Sequence, residues 1–323
     1  MSLWMPKKHF SISQKKQINT CPRLYYYQYV EGLGDITPHL IAGGAAHAAL
    51  EYGYGQQLQT GTFAATVDVL DVFNEEWKKG IPEITNWTQF RGKQRTASDF
   101  TQISRAHLLA HIKEIAPNIV PKRLEGAINV EFQGIPLVGF VDMETADTIY
   151  DHKFRFSPGP PPLDVKTDLQ LTLYALARGK SKVGFIMHYL EQKTNRKTGG
   201  RYFSPALSLR KATRTKDDFE YLEKEIVQTV ENIDRWRTEG DFPRIPEKTC
   251  PAWCEFRSRC WANAAQTNEE IKKRLQSEDP VNVEKPDTSS SVITHKCPKK
   301  EEPKLFDELM PEFSEDSDRV LPF

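Results

Sequence analysis

The chain has 323 residues, with 44 Lys+Arg against 44 Asp+Glu and a formal net charge of zero. That length allows two domains or one large one, and it can bury a full core without disulfide staples. No stretch approaches the ~20 consecutive apolar residues of a membrane span, which excludes an integral membrane protein. The N-terminus MSLWMPKKHF has no apolar signal core, so secretion is not expected and a cytoplasmic location is. Five cysteines are too few for a disulfide scaffold.

The zero net charge hides an asymmetry. Residues 261–323 carry 9 Lys+Arg and 14 Asp+Glu, leaving 35 basic and 30 acidic residues in 1–260. A mildly basic body is cancelled by an acidic tail, so neutrality does not argue against a nucleic-acid partner.

In chain order, a short helix is expected from Ser13 to just before Pro22, and a second over RLYYYQYV, with Pro22 at its first position. AGGAAHAALEYG (42–53) reads as a small-residue helix. Residues 66–79 and 97–116 have helical periodicity. The period then changes. Residues 125–132, 136–145 and 148–156 are rich in β-branched and aromatic residues with short turns between them, which predicts three antiparallel strands. A helix over 167–179 ends at Gly179. Residues 183–192 and 201–210 form a hairpin, and Thr215 opens a long helix to Trp236 with a capping box. This order predicts an α/β protein with layered sheet and helices rather than a bundle. Residues 1–263 form the folded body. Residues 264–323 are expected to be a disordered acidic tail. Within that tail, KLFDELMPEF (304–313) and the terminal SEDSDRVLPF are candidate partner-binding motifs.

The stretch GFVDMETADTIYDHKFRF carries the chemistry. Asp142 and Asp151 lie on adjacent strands, and antiparallel pairing could bring both carboxylates to one end of the hairpin. Two close carboxylates repel, and hard oxygen ligands favour Mg²⁺ or Mn²⁺. Lys153 is two residues past Asp151, so it shares its strand face. Metal, water and lysine are the equipment of phosphodiester hydrolysis. The triplet alone is cheap: Asp164-Val-Lys166 repeats it.

GFVD, IYDHK and QLTLYAL together resemble the RecB-like branch of the PD-(D/E)XK nuclease superfamily. In that branch a Gln-x-x-x-Tyr helix follows the Asp-x-Lys strand after a loop. Gln170 lies 17 positions past Lys153 but only 4 past Lys166, so the resemblance selects Asp151 and Lys153. It implies a restriction-endonuclease-like core, a mixed central β-sheet flanked by helices. It also implies catalytic roles for Asp142, Asp151, Lys153, Gln170 and Tyr174. His47, in a Gly43-x-x-x-His47-x-x-Leu50-Glu51 segment, and the backbone carbonyl of His152 are implied as metal ligands beside Asp142 and Asp151.

Cys250, Cys254 and Cys260 form a compact cluster, and Cys21 is a distant fourth. Four thiolates suit Zn²⁺ or an iron–sulfur cluster, and spacing does not separate the two. The segments Cys21-Pro22-Arg23-Leu24-Tyr25-Tyr26 and Cys250-Pro251-Ala252-Trp253-Cys254-Glu255-Phe256-Arg257 are similar to those of CRISPR-associated and AddB-type nucleases. That resemblance implies a [4Fe-4S] cluster stapling the N- and C-terminal segments. One common form of the second segment has two residues between its first cysteines; here there are three.

The implied activity is a metal-dependent exonuclease on single-stranded DNA, in repair, recombination, replication or CRISPR adaptation. The alternatives are a nuclease-like DNA-binding adaptor using its tail, and a zinc-stabilised module. Basic loops at Arg91–Arg95, Arg196-Lys197 and Arg210-Lys211 with Arg214 are candidate DNA contacts. The Tyr25–Tyr29 run is a candidate base-stacking surface or packing around the cluster.

Overall fold

A computed structural model describes residues 9–276 except 88, 91–92, 196–198, 252–253 and 263. The helices are α1 (Ile12–Thr20), α2 (Pro22–Tyr25), α3 (Pro38–Thr60), α4 (Thr66–Gly80), α5 (Ala97–Glu114), α6 (Leu169–Arg178), α7 (Lys216–Glu239), α8 (Arg257–Ala262) and α9 (Ala264–Gln276). Strands β1 (Gln89–Phe90) and β2 (Lys93–Gln94) form a small separate ribbon. The main sheet contains β3 (Arg123–Phe132), β4 (Ile135–Glu144), β5 (Thr148–Pro158), β6 (Lys182–Thr194) and β7 (Arg201–Thr213), in that spatial order. The sheet is mixed. β3, β4 and β5 run antiparallel, α6 carries the chain to β6 parallel to β5, and β7 returns antiparallel.

Local chemistry accounts for the boundaries. The β3–β4 turn places Gln133 at φ 50° and Gly134 at φ 82°, both in the left-handed region that a two-residue hairpin turn requires. Thr96 and Thr215 each accept from the backbone N–H three residues on, and Asp99 and Asp218 reach back to close capping boxes. Gly179 and Gly240 end α6 and α7 in the left-handed conformation.

Two apolar clusters cover the two sheet faces. One joins α1, α6 and α7 to the sheet through residues such as Leu171, Phe185 and Ile226. The other joins α3, α4 and α5 through Ala46, Phe73, Phe100 and Ile186. Side chains alternate along β5. Ile149 belongs to the first cluster, whereas Tyr150 and Phe156 belong to the second.

β4 and β5 pair only at Met143–Tyr150 and Glu144–Ile149. The end of this short ladder is anchored by Glu144, 5% exposed, which meets Arg178 at 2.8 Å and Lys180 at 3.3 Å. Beyond it the strands part. Phe10 takes up the edge of β4 that β5 leaves, donating to the Pro136 carbonyl and accepting from Val138 N–H.

Several expectations change. Helix α1 is capped by Ser11, not started by Ser13. The 42–53 helix extends to Pro38–Thr60, because Pro38 suits its first turn and Gly61 its end. Tyr26–Val30 widens into a π-helix. Tyr25, Tyr26 and Tyr27 are fully buried, so they pack and do not stack on bases. Arg95 and Arg214 are also interior. Arg95 donates to the Phe156 carbonyl, and Arg214 ties Thr172 to the Val165 and Asp168 carbonyls. Arg91 and Arg196-Lys197 lie outside the described residues.

The body does not stop at 263. Helix α9 buries Ile271 to 2% exposure, and its Asn268 accepts from Arg23. Its spacing of apolar residues was too sparse to distinguish it from the polar tail. The motifs at 304–313 and 314–323 lie outside the described residues.

Arg23 is the hub of this closure. It is 2% exposed and donates to the Phe242 carbonyl at 2.6 Å, to Asp241 at 2.9 Å and to Asn268 at 3.1 Å. Arg23→Met should keep the packing volume yet leave a buried carbonyl unsatisfied, lowering stability by about 2–3 kcal/mol. Urea unfolding of the two proteins measures it; equal midpoints would remove Arg23 from this role.

Candidate active site

The site lies where β4 and β5 part. In the β4–β5 register, Asp142 and Asp151 are the next opposed pair after Met143–Tyr150. In place of another ladder bond, the Asp142 carboxylate accepts the His152 N–H at 2.7 Å. The side chain thus occupies the gap between strands. His47, from α3, places Nδ1 3.4 Å from Asp142 Oδ2.

Asp151 is 2% exposed. Its Oδ2 lies 2.5 Å from Lys153 Nζ, and its Oδ1 accepts from Gln170 Nε2 at 3.2 Å. Gln170 Nε2 also lies 2.6 Å from Tyr174 Oη, and Gln170 Oε1 accepts from Lys153 at 3.4 Å. Asp168 caps α6 by accepting from Leu171 N–H, which fixes the turn that presents Gln170. Gly139 on β4 makes room for Tyr174: a Cβ there would sit 2.9 Å from the tyrosine ring.

All five catalytic candidates and His47 therefore converge. The backbone of His152 is at the centre, while its ring faces the other way, toward Tyr54. The competing Asp164-x-Lys166 triplet is an exposed turn in which Asp164 accepts from the Lys166 N–H.

The electrostatics follow from burial and charge. Burial would lower the His47 pKa, but the Asp142 carboxylate outweighs it and raises it. Burial would raise Asp142, yet His47, His152 and Lys153 hold it well below the usual carboxylate range. Asp151 is raised, first by burial and then by Asp142 against the opposing pull of Lys153. Burial opposes the charge on Lys153, but Asp151 and Asp142 raise its pKa.

Three further residues stand at the site, of which the sequence singled out Glu51 only as part of the His47 segment and Glu125 and Lys16 not at all. Glu51 and Glu125 line a small cavity with His47, Asp142 and His152. Partial burial, then the charges of Glu125 and Asp142, push Glu51 up to about 7. Glu125 is also raised, by burial and by Asp142. Lys16 of α1 reaches Asp168 at 3.1 Å and Gln170 Oε1 at 3.4 Å. Glu51 sits one helical turn after His47, a signal the sequence did contain; Lys16 and Glu125 have no motif.

This donor set suits a hard divalent cation: two facing carboxylates, one imidazole and further acidic groups whose pKa values are raised by burial and then by neighbouring carboxylates. The profile of the PD-(D/E)XK nuclease superfamily matches residues 9–261, which span the sheet and every residue named above. The chain belongs to the PD-(D/E)XK nuclease superfamily. Members of this superfamily cleave nucleic-acid phosphodiesters and typically use Mg²⁺ or Mn²⁺. A crystal structure of a candidate exonuclease from Eubacterium rectale is similar at a TM-score of 0.42 and 10% identity, covering 71% of this chain and 82% of that one. No curated protein sequence matches this chain. Among the described residues, no helix is long and apolar enough to cross a membrane.

The metal-free protein should have a stability maximum near neutral pH. Glu51 holds a proton in the folded chain at pH values where the unfolded chain has lost it. Its contribution therefore falls as pH rises from 4.5 to about 7. His47, also raised, adds to that fall above 6.5. Burial keeps His107, His111, His152 and His188 neutral below 6.5, so their contribution is lost as pH falls. Urea midpoints between about pH 5 and 8.5 should peak in between, and Glu51→Gln should steepen the rise toward about pH 7, because it removes a contribution that falls over that range. An unchanged acid limb in that variant would contradict the assignment.

Proposed function

We propose that this nuclease is a metal-dependent deoxyribonuclease that degrades single-stranded DNA from its ends. The observation that carries the catalytic part is the junction of Asp142, Asp151 and Lys153 in one strand gap, with Gln170 bonded to both Asp151 and Tyr174. Asp142, Asp151, His47 and the His152 carbonyl would hold Mn²⁺ or Mg²⁺. The ion supplies Lewis-acid activation of water and stabilises charge on the phosphate.

The chain's own groups do the rest. Lys153, cationic and close to Asp151, orients a water for attack and offsets charge that develops on the phosphoryl oxygens. Gln170 fixes the Asp151 carboxylate and, through its oxygen, the Lys153 ammonium. Lys16, 45% exposed beside Gln170, is placed to meet a phosphate of the incoming strand. The end-directed, single-strand preference rests on the similarity of Gln170-x-x-x-Tyr174 and the cysteine segments to the RecB-like branch.

The same reading gives Cys21, Cys250, Cys254 and Cys260 a [4Fe-4S] cluster. All four are free thiols, two of them buried. Burial, and then the charges of Cys250, Cys260 and Cys21, raise the Cys254 pKa, so the four are electrostatic neighbours. No three of their sulfurs lie within 4.8 Å of one another. Thiolates around a single Zn²⁺ sit about 3.8 Å apart, given a Zn–S bond of roughly 2.3 Å. A cluster bound by the four would reinforce the join that Arg23 already makes.

Asp151→Asn and Lys153→Met should each reduce Mn²⁺-dependent degradation by about 10³-fold or more while leaving the circular dichroism unchanged. Linear single strands blocked at the 5′ or 3′ end, compared with a circular strand, read the polarity; rapid cutting of the circle would end the exonuclease reading. Anaerobically purified protein should carry iron and sulfide in equal amounts. Stoichiometric zinc with no iron would replace the cluster with a zinc site.

A further inference from the structure

Behind the carboxylates, on the opposite face of β5, the nuclease reading leaves a group of buried histidines without a task. His111 comes from α5, His152 from β5 and His188 from β6. They are 0%, 3% and 0% exposed. One ring nitrogen from each lies within 4.8 Å of the other two. The rings sit 5.1 to 5.7 Å apart, centre to centre.

We propose that His111, His152 and His188 form a second metal site, for a transition metal of the zinc class, which ties α5 to the two central strands.

Four observations carry this. First, His188 Nε2 and His152 Nδ1 are 3.5 Å apart. Two nitrogens bound to one tetrahedral Zn²⁺ at 2.0–2.1 Å lie about 3.4 Å apart, whereas a hydrogen bond at 3.5 Å would be a poor one. Second, His111 Nδ1, the nitrogen left free to ligate when Nε2 meets Tyr54, is buried with no hydrogen-bond partner, a costly arrangement in an apolar interior unless something binds it. Third, all three rings are buried, an environment that favours the neutral imidazole, the form that ligates metals. Fourth, Tyr54 Oη lies 2.8 Å from His111 Nε2, the outer partner that commonly orients a ligating histidine.

The donor chemistry separates the two centres. Three neutral imidazoles with no carboxylate among them select Zn²⁺, Co²⁺, Ni²⁺ or Cu²⁺ over Mg²⁺. The small cavity lined by Glu51, Glu125 and Asp142 also borders Tyr54 and His152, between the two centres. His152 then serves both centres, its backbone at the carboxylate gap and its ring at the histidine site. The second ion would hold β5 in place behind the reacting groups.

The test uses the full chain, stripped of metal with a chelator and held in excess Mg²⁺ to fill the carboxylate centre. Zn²⁺ should then raise the melting temperature by about 5 °C, a shift of the size that saturating ligand gives in a chain this long. His188→Gln and His111→Gln should lose that shift. Co²⁺ added to the wild type should give visible bands of a four-coordinate nitrogen site without sulfur-to-cobalt charge transfer, which separates it from the cysteines. The Zn X-ray absorption spectrum should show nitrogen ligands with imidazole outer-shell scattering. Zinc stabilisation retained in both variants, or a cobalt spectrum with only sulfur bands, would overturn the site. The two wild-type spectra decide the question even if both variants fail to fold. Loss of nuclease activity in Asp151→Asn leaves all of these readouts in place, so the two assignments fail separately.

Discussion

The architecture depends on one hydrogen bond, the 2.7 Å contact from the His152 N–H to the Asp142 carboxylate. A sheet normally satisfies that N–H with a carbonyl from the neighbouring strand. Here a side chain does it, at the first position where β4 and β5 cease to pair. The substitution opens a gap at the middle of the sheet without leaving a buried donor unsatisfied. It also sets a negative charge beside Asp151. The repulsion between the two carboxylates is offset by Lys153 and His47 in the metal-free protein and is relieved further by a cation. The candidate active site is thus a fault in a β-ladder that the fold stabilises on both sides.

The alternation of a strand makes β5 serve two environments. Asp151 and Lys153 face α6, where Gln170 and Tyr174 complete their hydrogen bonds. Phe154 and His152 face the opposite way, toward rings from α3, α5 and β6. A shift of one residue in register would bury the wrong set on each face. The thirteen-residue pairing of β6 with β7 and the parallel ladder from β5 to β6 hold that register. The candidate reacting groups on β5 therefore sit beside β6, the strand paired along both its edges, which suits chemistry that tolerates little displacement.

The ends of the folded body are joined by charge as well as by packing. Arg23 binds groups of the 241–268 region, and Glu255 accepts from Asp35 N–H and Gln28. Arg244 lies over the Trp261 ring at 4.2 Å and donates to the Cys260 carbonyl. These contacts bring Cys21 to the neighbourhood of the other three cysteines. Closure does not require a cluster to begin; a cluster would find its thiols already gathered.

The sequence alone determined the element types and most of the chemistry. Period-2 runs marked β3, β4 and β5, and the capping box at Thr215 marked the start of α7, because each rests on interactions between near neighbours in the chain. Asp142, Asp151 and Lys153 were legible as a pattern on one strand pair, and the resemblance to the RecB-like branch selected that triplet and added Gln170 and Tyr174. Charge asymmetry between body and tail was also legible. What only the tertiary structure decided involves residues far apart in sequence. No spacing rule links Lys16 to Gln170, or His111 to His152 and His188. The basic character of Arg95 and Arg214 suggested a DNA surface, but burial turned both into internal braces. The tyrosine run likewise became core, and α9 joined the body, because the partners that bury them come from elsewhere in the chain. Local patterns fix what a segment can form; long-range packing fixes which of its side chains meet water, a ligand or one another.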